Sequence, residues 1–122
     1  MNPTTSANDN EYPLWDSTVL SRMMGDNPVM QNHLLEKFLI YAEERVNWIL
    51  QATEAKDFSR VRSLAHALKS SSRTAGAMQI GELCMAMEKA GEAGDTHACI
   101  ALSEKLNKMF ASTATIIRRN LE

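Results

Sequence analysis

Apolar residues return every three or four positions along most of this chain. The spacing holds from residue 28 to about 56, from 57 to 75, from 80 to 90 and from 95 to 118. Side chains three and four positions apart lie on the same side of a helix, so each segment is predicted to be an amphipathic helix. A shorter helix is predicted over residues 16–24. The chain is therefore predicted to be all-α.

Residues that start and stop helices separate these segments. Aspartate and asparagine accept hydrogen bonds from the first free N–H groups of a helix, and glycine adopts the left-handed turn that ends one. Such residues stand at each boundary: Asp16, Gly25, Asn27 before Pro28, Asp57, Gly76, and Gly94 before Asp95. Short connections favour an antiparallel four-helix bundle with a short additional N-terminal helix. We expect this domain over residues 14–122, after a disordered tail of residues 1–13.

Composition and charge narrow the class of protein. A chain of 122 residues suits one domain, and a formal net charge of −2 argues against a general nucleic-acid surface. No apolar run approaches the ~20 residues that a membrane span needs, and the first residues lack the layout of a signal peptide. We therefore expect a cytoplasmic protein with no nucleic-acid or membrane partner. Cys84 and Cys99 fall on apolar helix sides, which indicates buried free thiols.

His66 points away from the apolar side of its helix. That side is formed by Phe58, Val61, Leu64, Ala65 and Leu68. At about 100° per residue, His66 lies more than a right angle from the centre of that side. Its own face carries three cations and a small hydroxyl residue: Arg62, Lys69, Arg73 and Ser70. No Asp or Glu occurs from residue 59 to 81, so we expect an exposed histidine without a local acid to orient it.

This setting favours phosphoryl chemistry. Nearby positive charge favours the neutral imidazole, whose free lone pair makes it a nucleophile, and the cations would attract a phosphoryl group. Spacing alone also leaves open an ordinary solvated helix face. A metal site in the bundle is not expected, because none of the three histidines follows a glutamate at the Glu-x-x-His spacing.

The segment around His66 resembles the signature of histidine-containing phosphotransfer (Hpt) domains of two-component phosphorelays. In that family a bundle helix carries an A-H-x-L-K-[GS] run, followed later by a Gly-Ala pair. The matching residues here are Ala65, His66, Leu68, Lys69 and Ser70, and then Gly76-Ala77. Ser70 stands where many members have glycine. The resemblance extends over residues ~15 to ~118.

The resemblance implies a phosphocarrier and not an enzyme. His66 would accept a phosphoryl group from the aspartyl phosphate of a response regulator receiver domain and pass it to another receiver. Lys69 would stabilise the phosphoryl oxygens, and Ser70 would permit close approach. The receiver would supply the catalytic carboxylates and Mg²⁺, so no cofactor or metal is expected on this chain. A hybrid sensor histidine kinase is the expected upstream partner, and a monomer is the expected form.

A partner surface is expected around His66. We expect Arg62 and Arg73 at its rim, and Ala67, the 16–24 helix and the exposed Ile40 as its apolar part. The alternative is a helical adaptor that binds a signalling partner through this face without carrying phosphate. An adaptor would tolerate the substitution His66→Gln, whereas a phosphocarrier would not.

Overall fold

The computed structural model describes residues 12–121, and these residues form five helices and no strand. The helices are α1 (Thr18–Met24), α2 (Pro28–Glu54), α3 (Phe58–Ala75), α4 (Met78–Ala93) and α5 (Thr96–Leu121). Within the bundle, α3 packs on α2 and α4, and α5 closes the ring by packing on the same two helices. The predicted all-α four-helix bundle with a short additional helix is confirmed. The first eleven residues of the predicted tail lie outside the described residues.

The predicted capping residues set most of the helix boundaries. Three side-chain oxygens accept hydrogen bonds from backbone N–H groups in the first turn: Asn27 from Met30 at 3.2 Å, Asp57 from Arg60 at 3.2 Å and Asp95 from Ala98 at 3.0 Å. Helix α1 begins at Thr18, two residues later than expected, with the Asp16 carboxylate 3.0 Å from the Thr18 nitrogen. Helix α5 continues to Leu121, beyond the predicted end at residue 118.

The core lies along the axis of the four long helices. Its largest fully buried apolar side chains come from all four: Val46, Ile49, Val61, Leu68, Ile80, Met87, Leu106 and Ile117. Cys84 and Cys99 are buried free thiols, as the apolar pattern predicted. Burial raises the pKa of Cys84 to about 12, so this thiol is not ionised at neutral pH. Within the described residues, no helix is both long and apolar enough to cross a membrane.

The segment before α1 is attached to the end of α3. The indole N–H of Trp15 donates to the carbonyl oxygen of Ala75 at 3.0 Å, and the backbone N–H of Asp16 donates to that of Gly76 at 2.8 Å. Gly76 has φ 94°, and a Cβ at this position would collide with the Asp16 carbonyl oxygen. These contacts hold α1 over α2 and α3, where its Leu20 is buried.

Helices α3 and α4 approach closely because α4 carries glycine at two contact positions. A Cβ on Gly91 would lie 3.0 Å from the carbonyl oxygen of Phe58 and 3.1 Å from the nitrogen of Arg62. A Cβ on Gly81 would lie 2.9 Å from Cγ of Arg73. A side chain at Gly91 would therefore require the backbone of α3 to move away by a few tenths of an ångström. The close approach brings the side chains that flank these glycines on α4 within reach of α3.

We predict that Gly91→Ala destabilises the fold. In an exposed helix, replacing glycine with alanine gains roughly 1 kcal/mol, but here the added methyl group must push α3 and α4 apart, which costs about 1–3 kcal/mol. Urea unfolding would measure the free energy of unfolding, with Ser112→Ala at an exposed position of α5 as the control. An equally or more stable Gly91→Ala variant would contradict the packing described for Gly91.

Candidate functional site

His66 lies on the solvent side of α3. Val61, Ala65 and Leu68 bury the opposite side of this helix in the core, which turns His66 outward. Its side chain is 63% exposed. The orientation deduced from the apolar spacing is therefore confirmed.

The structure places an acid beside this histidine, contrary to the expectation from sequence. One carboxylate oxygen of Glu88 on α4 lies 2.9 Å from Nδ1 of His66. The other lies 2.8 Å from Nζ of Lys69. The expectation of a histidine without an orienting acid was wrong, because the acid comes from the neighbouring helix and not from α3. Glu88 therefore bridges the two residues that the Hpt signature singles out.

The hydrogen bond to Glu88 determines which ring nitrogen of His66 carries the proton and which has the free lone pair. Hydrogen bonds from Lys69 and then from His66 hold the pKa of Glu88 below its ordinary value, against the opposing effect of partial burial. Glu88 is thus an ionised carboxylate at neutral pH and can only accept hydrogen bonds. Nδ1 must therefore carry the proton, and in the neutral ring the free lone pair is on Nε2.

The other cations near His66 are also paired with glutamates of α4. Nη2 of Arg73 lies 3.1 Å from Oε2 of Glu82, and Nε of Arg62 lies 4.0 Å from Oε2 of Glu92. The pairs follow one another along the α3–α4 contact on either side of Glu88. The positive charge on the His66 face of α3 is therefore largely neutralised by glutamates of α4. The expectation of three uncompensated cations on this face is corrected accordingly. The predicted role of Arg62 and Arg73 at a partner rim stays a prediction.

A groove of about 530 Å³ lies on the other side of His66, between α1, α2 and α3. Its walls are mostly apolar and come from all three helices: Leu20, Leu34, Phe38, Tyr41, Ala67 and Ala75, with Lys37, Ser70, Ser71 and Thr74 at the polar positions. Ala67 and Ser70 are neighbours of His66 on α3. The short helix thus borders the region beside the histidine through Leu20. Ile40 is 72% exposed but does not line the groove.

Comparison with known proteins decides the family. The family model described as Hpt domain matches residues 33–115 of this chain. The chain belongs to the Hpt domain family. Its role is therefore that of a phosphocarrier in a phosphorelay, not of a classical enzyme. Hpt domains exchange phosphoryl groups with receiver domains, which favours this role over the adaptor alternative.

A solved structure supports the assignment of the Hpt domain. Histidine-containing phosphotransfer protein B (HptB) from Pseudomonas aeruginosa PAO1 superposes with a TM-score of 0.78 at 28% sequence identity. The match covers 89% of this chain and 95% of the HptB chain. No curated protein sequence matches at a significant level.

Glu88 is the site residue that sequence reasoning missed in this Hpt domain. It lies 22 residues from His66 and on another helix, far beyond the three or four residues that separate contacting side chains within one helix. A signal was nevertheless present in the helical hairpin around Gly76: His66 precedes that turn by ten residues and Glu88 follows it by twelve. Residues at similar distances from the turn of an antiparallel hairpin face one another, so pairing across the turn would have found the carboxylate.

We predict that Glu88→Gln makes the Hpt domain less sensitive to acid. A carboxylate with a lowered folded-state pKa contributes stability above its ordinary pKa, and that contribution is lost as the pH falls through the folded-state value. The variant lacks this contribution, so it should lose less stability between neutral pH and about pH 3. Urea unfolding at both pH values measures the difference. Glu104→Gln, at an exposed glutamate of α5, is the control, and equal acid sensitivity of Glu88→Gln and wild type would contradict the described pairing.

Proposed function

We propose that His66 is the phosphoryl-accepting residue and that Nε2 is the nucleophile. The observation that supports this assignment is the exposed imidazole whose Nδ1 is engaged by Glu88 at 2.9 Å. The Nε2 lone pair attacks the phosphorus of a receiver aspartyl phosphate. A P–N bond forms while the P–O bond to the aspartate breaks, and the aspartate leaves as a carboxylate with the electron pair. Transfer to a second receiver reverses these steps.

Glu88 stabilises the ring through this reaction. Attack by Nε2 leaves the ring positively charged with its proton on Nδ1. The Glu88 carboxylate accepts that proton's hydrogen bond and offsets the charge, as the aspartate of a Ser-His-Asp triad does for its imidazolium. The protonated ring is also the better leaving group, so Glu88 keeps the phosphoramidate ready for onward transfer.

Lys69 and Ser70 support the phosphoryl group. The Lys69 side chain is only 18% exposed, because Glu88 holds its ammonium against the α3–α4 contact. A phosphoryl group on His66 brings anionic oxygens to the helix face that also carries Lys69, and we propose that the ammonium is then shared between the phosphoryl group and Glu88. Ser70 is exposed on the next turn, and its small side chain leaves room for the receiver to approach.

The partner supplies what the Hpt domain lacks. We propose that Mg²⁺ and the catalytic carboxylates belong to the receiver domain, and that this chain binds no cofactor or metal of its own. The receiver would dock over the groove, with Ala67 inside its footprint and Arg62, Arg73 and Ile40 at its edge. A hybrid sensor histidine kinase is the proposed source of the phosphoryl group. The Hpt domain would act as a monomer in the cytoplasm, without binding nucleic acid or membrane.

We predict that phosphoryl label appears on Nε2 of His66. The protein would be incubated with each phosphorylated receiver domain of its own organism, and acid-labile, base-stable label would be followed. His66→Gln should abolish labelling, whereas His33→Gln, at an exposed histidine of α2, should leave it unchanged. Phosphorus NMR distinguishes the two ring nitrogens. Label that persists in His66→Gln, or that maps to Nδ1, would refute the assignment.

We predict that Lys69→Ala slows transfer from a phosphorylated receiver by roughly 10- to 100-fold, since it removes a cation that interacts more strongly with the phosphoryl group than with the neutral ring. Rapid-quench measurement of the transfer rate tests this, with circular dichroism to verify folding. Lys89→Ala, at an exposed lysine of α4, is the control. A folded Lys69→Ala variant with wild-type transfer would show that the ammonium serves only to hold Glu88.

A further inference from the structure

The seam between α2 and α3 continues beyond the groove. Leu34 and Tyr41 of α2 and Ala67 and Thr74 of α3 line the groove. The guanidinium of Arg60, seven residues before Ala67 on α3, lies over the ring of Trp48, seven residues after Tyr41 on α2. This contact lies past the end of the groove, about 10 Å further along the helices at 1.5 Å per residue. The seam therefore joins the mostly apolar groove to a second part that carries arginine and aromatic side chains.

That second part is a stack of arginine and aromatic side chains. The guanidinium carbon of Arg45 lies 3.7 Å from the centre of the Tyr41 ring and 4.9 Å from that of Trp48. The guanidinium carbon of Arg60 lies 5.8 Å from the Trp48 ring. Arg45, Trp48 and Arg60 are called the arginine–tryptophan stack below. Tyr41 belongs both to this contact and to the groove wall, so the two surfaces are continuous.

One cation of the stack, Arg60, keeps a charge that the other arginines near the site share with glutamates. Arg62 and Arg73 are paired with glutamates of α4, and Arg45 is paired with its neighbour Glu44 at 2.7 Å. Arg60 is exposed, and no carboxylate of residues 12–121 lies within ion-pair distance of its side chain. Of the three arginines of α3 near His66, the one without a paired carboxylate among the described residues therefore lies on the α2 side and not on the α4 side.

We propose that a receiver domain docks over the groove and that the arginine–tryptophan stack binds a carboxylate of this domain. The occupant is a receiver helix with apolar side chains for the groove and an Asp or Glu about seven residues further along, which matches the two-turn spacing of the seam. Arg60 pairs with that carboxylate, and its planar guanidinium is well suited to a carboxylate and to an aromatic face. Because Arg60 lies past one end of the groove, a partner helix pairs with it only in the direction that brings its carboxylate to that end.

This inference rests on the proposed function, and its test separates the two. The probe is the receiver domain that labels the protein most rapidly. Arg60 lies six residues from His66, about 9 Å along α3. Arg60→Glu should therefore raise the receiver concentration for half-maximal transfer about tenfold while the rate at saturation stays the same. Lys108→Glu, the same charge reversal at an exposed position of α5, should change neither quantity.

Two further measurements define the contact. Arg60→Gln should make half-maximal transfer less dependent on salt, because one charge pair is removed. A lysine replacing the paired acidic residue of the receiver helix should restore binding to Arg60→Glu.

Two outcomes would overturn the inference while leaving labelling of His66 intact. One is an unchanged receiver concentration for half-maximal transfer in Arg60→Glu, and the other is a loss confined to the transfer rate at saturation. Sedimentation that shows wild-type dimers and monomeric Arg60→Glu, with unchanged transfer, would instead assign the seam to a second copy.

Discussion

The site depends on how closely α4 lies against α3. Gly91 allows the backbones to touch, with a hypothetical Cβ only 3.0 Å from the Phe58 carbonyl oxygen. At that separation a glutamate on α4 can reach two side chains of α3 at once, and Glu88 contacts both His66 and Lys69. With the helices further apart, the imidazole would rotate freely and its tautomer would not be selected. Backbone packing thus places the carboxylate that orients the imidazole of His66.

The same packing controls the charge around the histidine. On a helix with many cations and no acid, the positive charge would disfavour protonation of the imidazole and would attract any anion, whatever its chemistry. The glutamates of α4 compensate most of that positive charge, and Glu88 holds both the ammonium of Lys69 and the imidazole of His66. In the proposed mechanism, attraction of the partner then depends less on the face between α3 and α4 and more on the seam toward α2. The proposal thus assigns transfer chemistry and partner recognition to opposite sides of His66.

Much of the fold could be predicted from sequence, because helix periodicity and caps are local signals. The outward direction of His66 follows from the apolar residues within one helix, and the structure agrees. Glu88 could not be found by the same means, since its contact depends on the register between two helices. The pairing of Trp48 with Arg60 was missed for the same reason. Charge patterns on one helix described α3 correctly but not the surface it shares with α4.

The buried thiol of Cys84 lies one helical turn from Glu88 on α4. With its pKa raised to about 12, this thiol reacts with electrophiles only after α4 leaves its place in the bundle. Such an opening would also withdraw the carboxylate from the imidazole. The inertness of the Cys84 thiol and the hydrogen bond between Glu88 and His66 therefore both depend on α4 remaining packed in the bundle.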